Sequence, residues 1–183
     1  MKNFLLILFI IIFFPLKTSA SIKQNIIKNL NETKNLNFNF EQNINGKIEN
    51  GKCTIEYPKK IFCDYKTNNQ KILVSNGRSL VIKTLNSYYL YPIEKTPLNL
   101  ILNKDFLLQK LLHLEERVID SKFINFTFYE NDNEINIFFD KNTFNLIGWQ
   151  TLDIYQNLSI TYLFSIIKNQ KLDKDLFKLP KQN

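Results

Sequence analysis

The chain has little of what most metal and catalytic sites require: 183 residues contain one histidine, two cysteines, four glycines and a single methionine, the initiator. One imidazole and two thiols are too few for a closed zinc site or an iron–sulfur cluster. There is no glycine-rich phosphate loop, no Gly-x-Ser-x-Gly elbow, no His-Glu-x-x-His helix and no Cys-x-x-Cys pair. Carboxylates such as Glu115-Glu116 and Asp132-Glu134 lie in polar turns and form no acid–base pair. His113 sits in Leu111-Leu112-His113-Leu114; nothing local makes it half of a Cys–His nucleophile with Cys53 or Cys63, and a partly buried or capping imidazole is the preferred reading. No cofactor, metal or enzymatic activity is expected.

Lys and Arg total 24 against 17 Asp and Glu, a formal net charge of +7. The basic residues are scattered through turns and polar strand faces without a run, so no nucleic-acid partner is expected. Neither an internal repeat nor a low-complexity linker divides the chain. What is abundant is apolar and aromatic: 44% hydrophobic and 14% aromatic residues, enough to bury a core.

The N-terminus follows the pattern of a secretory signal. Lys2 supplies the positive start, Phe4 to Phe14 is continuously apolar, Pro15 breaks the run, and Thr18-Ser19-Ala20 offers small residues for cleavage near Ala20. So short a run does not span about 30 Å of hydrocarbon. No cysteine stands at the cleavage point, so Ser21 cannot become the acylated first residue of a lipoprotein. The expectation is a cleaved signal at 1–20, one domain at 21–183, and an exported monomer.

Periodicity divides the remainder. Ile22, Ile26, Ile27 and Leu30 recur at helical spacing. From Leu36 strict alternation begins, with Phe38 and Phe40 apolar between Asn37, Asn39 and Glu41. Asn45-Gly46 and Asn50-Gly51 read as turns, and Cys53, Ile55, Tyr57 followed by Ile61, Cys63, Tyr65 as a hairpin. Strands are expected at 71–75, 79–84 and 87–91, with Asn76-Gly77 turning between the first two. A Leu-rich helical stretch spans Leu98 to Leu112. Further strands are expected at 117–120, 123–129, 134–140, 146–155 and 158–167, and the tail from Leu172 reads as a short turn or helix ending at Pro180. On adjacent strands Cys53 and Cys63 project to one face, and a disulfide is expected in an oxidising compartment; two separate buried thiols are the alternative, decided by register. A one-sided sheet with two apolar helical segments gives either a filled core or a lined cavity.

The order of motifs resembles a family. Phe38-Asn39-Phe40-Glu41-Gln42, then Gly51-Lys52-Cys53-Thr54-Ile55-Glu56-Tyr57-Pro58, then Ile72-Leu73-Val74-Ser75-Asn76-Gly77-Arg78-Ser79-Leu80, then Thr96-Pro97-Leu98, with Asp173, Phe177 and Pro180 in the tail, is similar to the LolA-type outer-membrane lipoprotein carriers. The resemblance implies a mainly β, α+β fold: an unclosed antiparallel β-barrel, or curved sheet, with an α-helical lid inside its concave face. It implies a periplasmic chaperone that takes acylated lipoproteins from an inner-membrane lipoprotein-releasing ABC transporter to an outer-membrane lipoprotein receptor. On it, Phe40, Ile55, Ile61, Tyr65, Ile72, Val74, Leu80 and Ile82 are candidates for the inward face, and Leu98, Ile101 and Leu102 for the lid. The family's Arg before Pro, associated with holding the lid closed, is matched here by Tyr57, which has one hydroxyl and no permanent charge. Cys63 stands where the family is usually aromatic. A binding protein or sensor module for free lipid or another amphiphile is the alternative function.

Overall fold

Eleven strands, most clearly alternating in β1 to β3, build one antiparallel sheet in the computed structural model, which describes residues 21–130 and 133–182. The expected signal segment lies outside the described residues. Strands β1 (Asn35–Ile44), β2 (Lys47–Glu56), β3 (Lys60–Tyr65), β4 (Ile72–Asn76), β5 (Ser79–Lys83) and β6 (Tyr88–Pro92) precede the helices α2 (Leu98–Leu102) and α3 (Lys104–His113). Strands β7 (Arg117–Ile119), β8 (Phe123–Glu130), β9 (Asn133–Asp140), β10 (Leu146–Leu152) and β11 (Leu158–Lys168) follow. Across the sheet the order is β6-β5-β4-β3-β2-β1-β11-β10-β9-β8-β7. The edges β6 and β7 do not pair with each other, so the barrel is unclosed, as expected. Register slips between Asn37 and Asn39 against β11, and between Leu146 and Gly148 against β9, bend the sheet.

The turns show how far local chemistry decides register. Asn45 and Gly46 both have positive φ and join Ile44 to its partner Lys47, a two-residue hairpin of the twist-compatible kind. Asn50-Gly51, expected as a second turn, is instead the middle of β2. A Cβ on Gly51 would lie 2.1 Å from the Asp64 carbonyl oxygen and 2.9 Å from Phe40 Cε1. Glycine is there so that the Phe40 and Tyr65 rings, 4.9 Å apart edge to face, can meet across the strand. The expected strand 146–155 stops at Leu152, because the Asp153 carboxylate accepts from the backbone N–H of Tyr155 and Asn157 and folds a turn.

Helix α1 (Ile22–Glu32) starts at a capping box, in which Ser21 Oγ accepts from Gln24 N–H while Gln24 Oε1 accepts from Ser21 N–H. Its stripe buries Ile26 and Leu30, each contributing about 1.5–3 kcal/mol. The Leu-rich stretch is two helices: Asn103 ends α2, and its side chain accepts from Phe106 N–H to begin α3. Lysines tie α1 and α3 together as an antiparallel pair. Lys23, at the start of α1, donates to the Leu114 carbonyl (2.7 Å) beyond α3, and Lys104, at the start of α3, donates to the carbonyls of Asn31 (3.1 Å) and Thr33 (3.0 Å) at the end of α1. Ile101, Leu102, Leu107 and Leu111 enter the same core as Phe38, Phe40, Ile55, Phe126, Phe139 and Trp149 from the sheet. The helices therefore cover the concave face.

The tail after β11 folds a turn and crosses the outer face of β3–β5. Asn35 Nδ2 donates to the Gln170 carbonyl, and Tyr88 OH and Lys83 Nζ donate to the carbonyls of Pro180 and Lys181. Phe177 is buried there, as are Val74 and Val81, outside the main core.

Candidate functional site

Cys53 and Cys63 are directly opposed in the β2–β3 ladder and form a disulfide, which settles the open choice between a bond and two thiols. It also removes both thiols from any nucleophile, and His113 is exposed in the last turn of α3. Among the described residues, no group of three or more His, Cys, Asp or Glu is placed to hold a metal ion.

Between the concave face and α2 lies a cavity of about 330 Å³. Tyr65, Leu80, Ile82 and Leu98, all expected at the site, line it, together with Ile44, Tyr89, Trp149 and Leu152. Phe40, Ile55, Ile61, Ile101 and Leu102 do point inward but are fully packed, forming the surrounding core rather than the wall. Ile72 and Val74 require correction. They pair with Asp64 and Phe62 on one side and with Lys83 and Val81 on the other, which puts both on the outer face; Leu73 and Ser75 take the inward positions on β4. The cause is the tail: with Phe177 packed outside, both faces of Ile72-Leu73-Val74 are apolar and alternation carries no phase.

Tyr57, also expected at the site, does not line the cavity. Its ring packs on the core with Lys104 Nζ 5.8 Å from the ring centroid, and its buried hydroxyl makes no hydrogen bond. Burial pushes that phenol well above the ordinary tyrosine value. The cover is instead held by backbone and lysine: Lys59 N–H donates to the Leu102 carbonyl at 2.9 Å, and Lys104 bridges to α1.

One set of cavity residues has no counterpart among the sequence expectations. Gln42 Nε2 donates to Ser159 Oγ (2.9 Å) and Thr161 Oγ1 (3.3 Å), and Gln42 Oε1 accepts from Tyr65 OH (3.3 Å). Glu49, 6% exposed, accepts from Lys47 at 2.9 Å and from Lys71, whose ammonium also stands 4.1 Å over the Tyr65 ring. Burial alone would raise the Glu49 carboxyl, but the two lysines outweigh it and hold it below the usual carboxylate value. The signal for Gln42 and Glu49 was their phase: Gln42 follows Phe38 and Phe40 at period two, and Glu49 precedes Gly51 and Cys53.

An unclosed antiparallel sheet, roofed on its concave side by helices and holding a partly open cavity with apolar and polar walls, defines an open-barrel protein with a ligand-sized space. Residues 31–180 match the family described as outer membrane lipoprotein carrier protein LolA, and the chain belongs to that family. No curated protein matches it by sequence. Among solved structures, it is similar to MucB, with a TM-score of 0.51 and 10% identity over 88% of this chain and 64% of that one. The Pseudomonas aeruginosa MucA/MucB complex gives 0.50 and 10% identity over 88% and 62%. The LolA superfamily protein NE2245 from Nitrosomonas europaea gives 0.43 and 8% identity over 87% and 99%. The chain thus spans a little under two thirds of the matched MucB chains. Among the described residues no helix is long and apolar enough to cross a membrane.

Proposed function

We propose that the protein is a periplasmic carrier that shelters the acyl chains of lipoproteins between an inner-membrane lipoprotein-releasing ABC transporter and an outer-membrane lipoprotein receptor. The observation that carries this reading is the cavity beside Leu98 of α2, with Ile44, Leu80, Ile82, Trp149 and Leu152 in its wall, in a chain of the LolA family. Taking the ~30 Å³ of a water molecule as the unit, the cavity admits about ten methylene-sized groups. At about 0.8 kcal/mol per buried methylene, the gross gain is about 8 kcal/mol. Longer or additional chains require α2 and α3 to move outward, uncovering Leu98, Ile101 and Leu102. That movement exposes apolar side chains, and entering acyl carbons replace the contacts they lose. Cargo exchange thereby proceeds without a large net change in buried apolar area. On this reading residues 1–20 direct export and are removed near Ala20, residues 21–183 act as one domain, and the carrier is a monomer.

The test is release. The protein is added to inner-membrane vesicles bearing the ABC transporter from the same source, with ATP, and the soluble fraction is assayed for a one-to-one complex with acylated lipoprotein. Appearance of the complex supports the carrier role; transporter-dependent release no greater than with an unrelated soluble protein refutes it. A second reading, a binding or sensor module for free lipid or another amphiphile, is favoured by Tyr57, whose hydroxyl makes none of the lid bonds associated with the family's Arg. Lipid co-purifying with the protein in native mass spectrometry, without transporter-dependent release, selects it.

A further inference from the structure

The two edges of the unclosed sheet differ. β7 is three residues long and begins with Arg117, the short and charged kind of edge that discourages pairing with another chain. β6, Tyr88-Tyr89-Leu90-Tyr91-Pro92, is rich in strand-forming side chains and carries no charge. Tyr89 is 46% and Leu90 57% exposed, and among the described strands β6 pairs only with β5.

The register shows which backbone groups β6 leaves over. Thr84 N–H donates to the Ser87 carbonyl (2.9 Å) at one end of the β5–β6 hairpin, and Ile93 N–H donates to the Arg78 carbonyl (3.0 Å) at the other. Bonded and non-bonded pairs alternate in an antiparallel ladder, so between those ends Ile82–Tyr89 and Leu80–Tyr91 are the bonded pairs. Tyr88 and Leu90 therefore turn N–H and C=O away from β5, and Pro92, which has no N–H, stops the row. Such groups fit another extended backbone. A second copy of β6 fits poorly: two such edges centred on Leu90 set Tyr88 opposite Pro92 twice, leaving both Tyr88 carbonyls without a donor. The same strand reaches the cavity, where Tyr89 lines the wall with Thr84 and Ser87. A chain leaving the cavity at that wall meets the edge.

Building on the carrier reading, we propose that β6 is a docking edge for cargo polypeptide: with the acyl group in the cavity, the residues that follow the acylated N-terminus of a lipoprotein add to β6 as a further strand. Backbone hydrogen bonds to Tyr88 and Leu90 hold it, so the edge accepts many cargo sequences as long as the segment is extended and its amides are free. The edge also separates lipoprotein from free lipid with the same acyl group, because free lipid has no backbone to pair.

The test compares a long synthetic peptide bearing an acylated N-terminal cysteine with the same acylated cysteine as its simple amide. Wild type binds the long probe about five- to twentyfold more tightly, the worth of about two backbone hydrogen bonds after the peptide is ordered. Leu90→Pro removes one outward N–H without touching the ladder to β5 and abolishes that advantage, whereas Leu90→Ala keeps the N–H and retains it. Backbone N-methylation of the long probe abolishes the advantage on the wild-type protein, and this arm decides if Leu90→Pro fails to fold. Amide hydrogen exchange at Tyr88 and Leu90 slows with the long probe and not with the short one. Equal affinity of wild type for the two probes, an advantage that survives N-methylation or a folded Leu90→Pro, a loss in Leu90→Ala as complete as in Leu90→Pro, or unslowed exchange at both amides overturns the docking edge and leaves the carrier reading standing. A wild-type dimer in sedimentation that Leu90→Pro dissolves gives the edge to a second copy and likewise overturns it. Failure of wild type to bind either probe overturns both readings.

Discussion

Replacing Gly51 by alanine should destabilise the protein far more than the loss of a turn glycine would, and for a different reason. The added Cβ meets the Asp64 carbonyl oxygen at 2.1 Å, Phe40 Cε1 at 2.9 Å and the Tyr65 Cα at 2.9 Å. Two of these are backbone atoms of the neighbouring strand, so the collision cannot be relieved by a rotamer change. Overpacking of this kind costs about 1–3 kcal/mol, which lowers the thermal midpoint of a chain of this size by roughly 3–10 °C. Gly46 is the control. It has φ +88° and nothing within 4 Å of the built Cβ, so its requirement is conformational and not steric. Asparagine tolerates that backbone region. Thermal unfolding followed by circular dichroism should therefore show Gly46→Asn close to wild type and both Gly51→Ala and Gly51→Asn well below it. A Gly51→Ala midpoint within about 1 °C of wild type, or a Gly46→Asn protein less stable than Gly51→Asn, would refute the steric account. Because Tyr65 also lines the cavity and bonds Gln42, Gly51→Ala should weaken acyl-probe binding as well.

The Cys53–Cys63 bond closes a loop of sequence separation 10, for which chain entropy predicts about 2–3 kcal/mol; the Cys53→Ala/Cys63→Ala protein should lose about 5–10 °C in thermal midpoint, and an unchanged midpoint contradicts the staple. Alkaline pH is a separate probe. Burial raises the phenols of Tyr57 and Tyr65, the latter also through the Glu49 charge. A raised folded value means that their stabilisation is complete below about pH 10 and declines as pH climbs towards the folded values. Urea midpoints should fall above about pH 10, less steeply in Tyr57→Phe/Tyr65→Phe, and a flat profile in wild type would sink the assignment.

Much of this architecture was legible where one face is wet and one dry. In β1, Phe38 and Phe40 against Asn37, Asn39 and Glu41 mark the phase without ambiguity, and the same phase puts Cys53 opposite Cys63. It failed where a third layer is present. Ile72-Leu73-Val74 is apolar on both faces because the tail, some hundred residues downstream, covers the outer one, and no local pattern announces that contact. Gly51 misled for a related reason, since Asn-Gly is a turn signal only where no aromatic neighbour requires a missing Cβ. Gln42 and Glu49 hold inward phase in the sequence, but polar residues at inward positions read as exceptions to a core until a cavity shows what they face.

The central claim is that acyl chains occupy the space between the inner face and α2. A photoreactive residue placed singly at Ile82, Leu98 or Ile72, in protein loaded with acylated lipoprotein, tests it most directly. The account predicts acyl-dependent cross-links from positions 82 and 98, which line the cavity, and none from position 72, which lies on the outer face. Cross-links from position 72 as strong as those from 82 and 98, or none from 82 and 98 in a loaded complex, would contradict it.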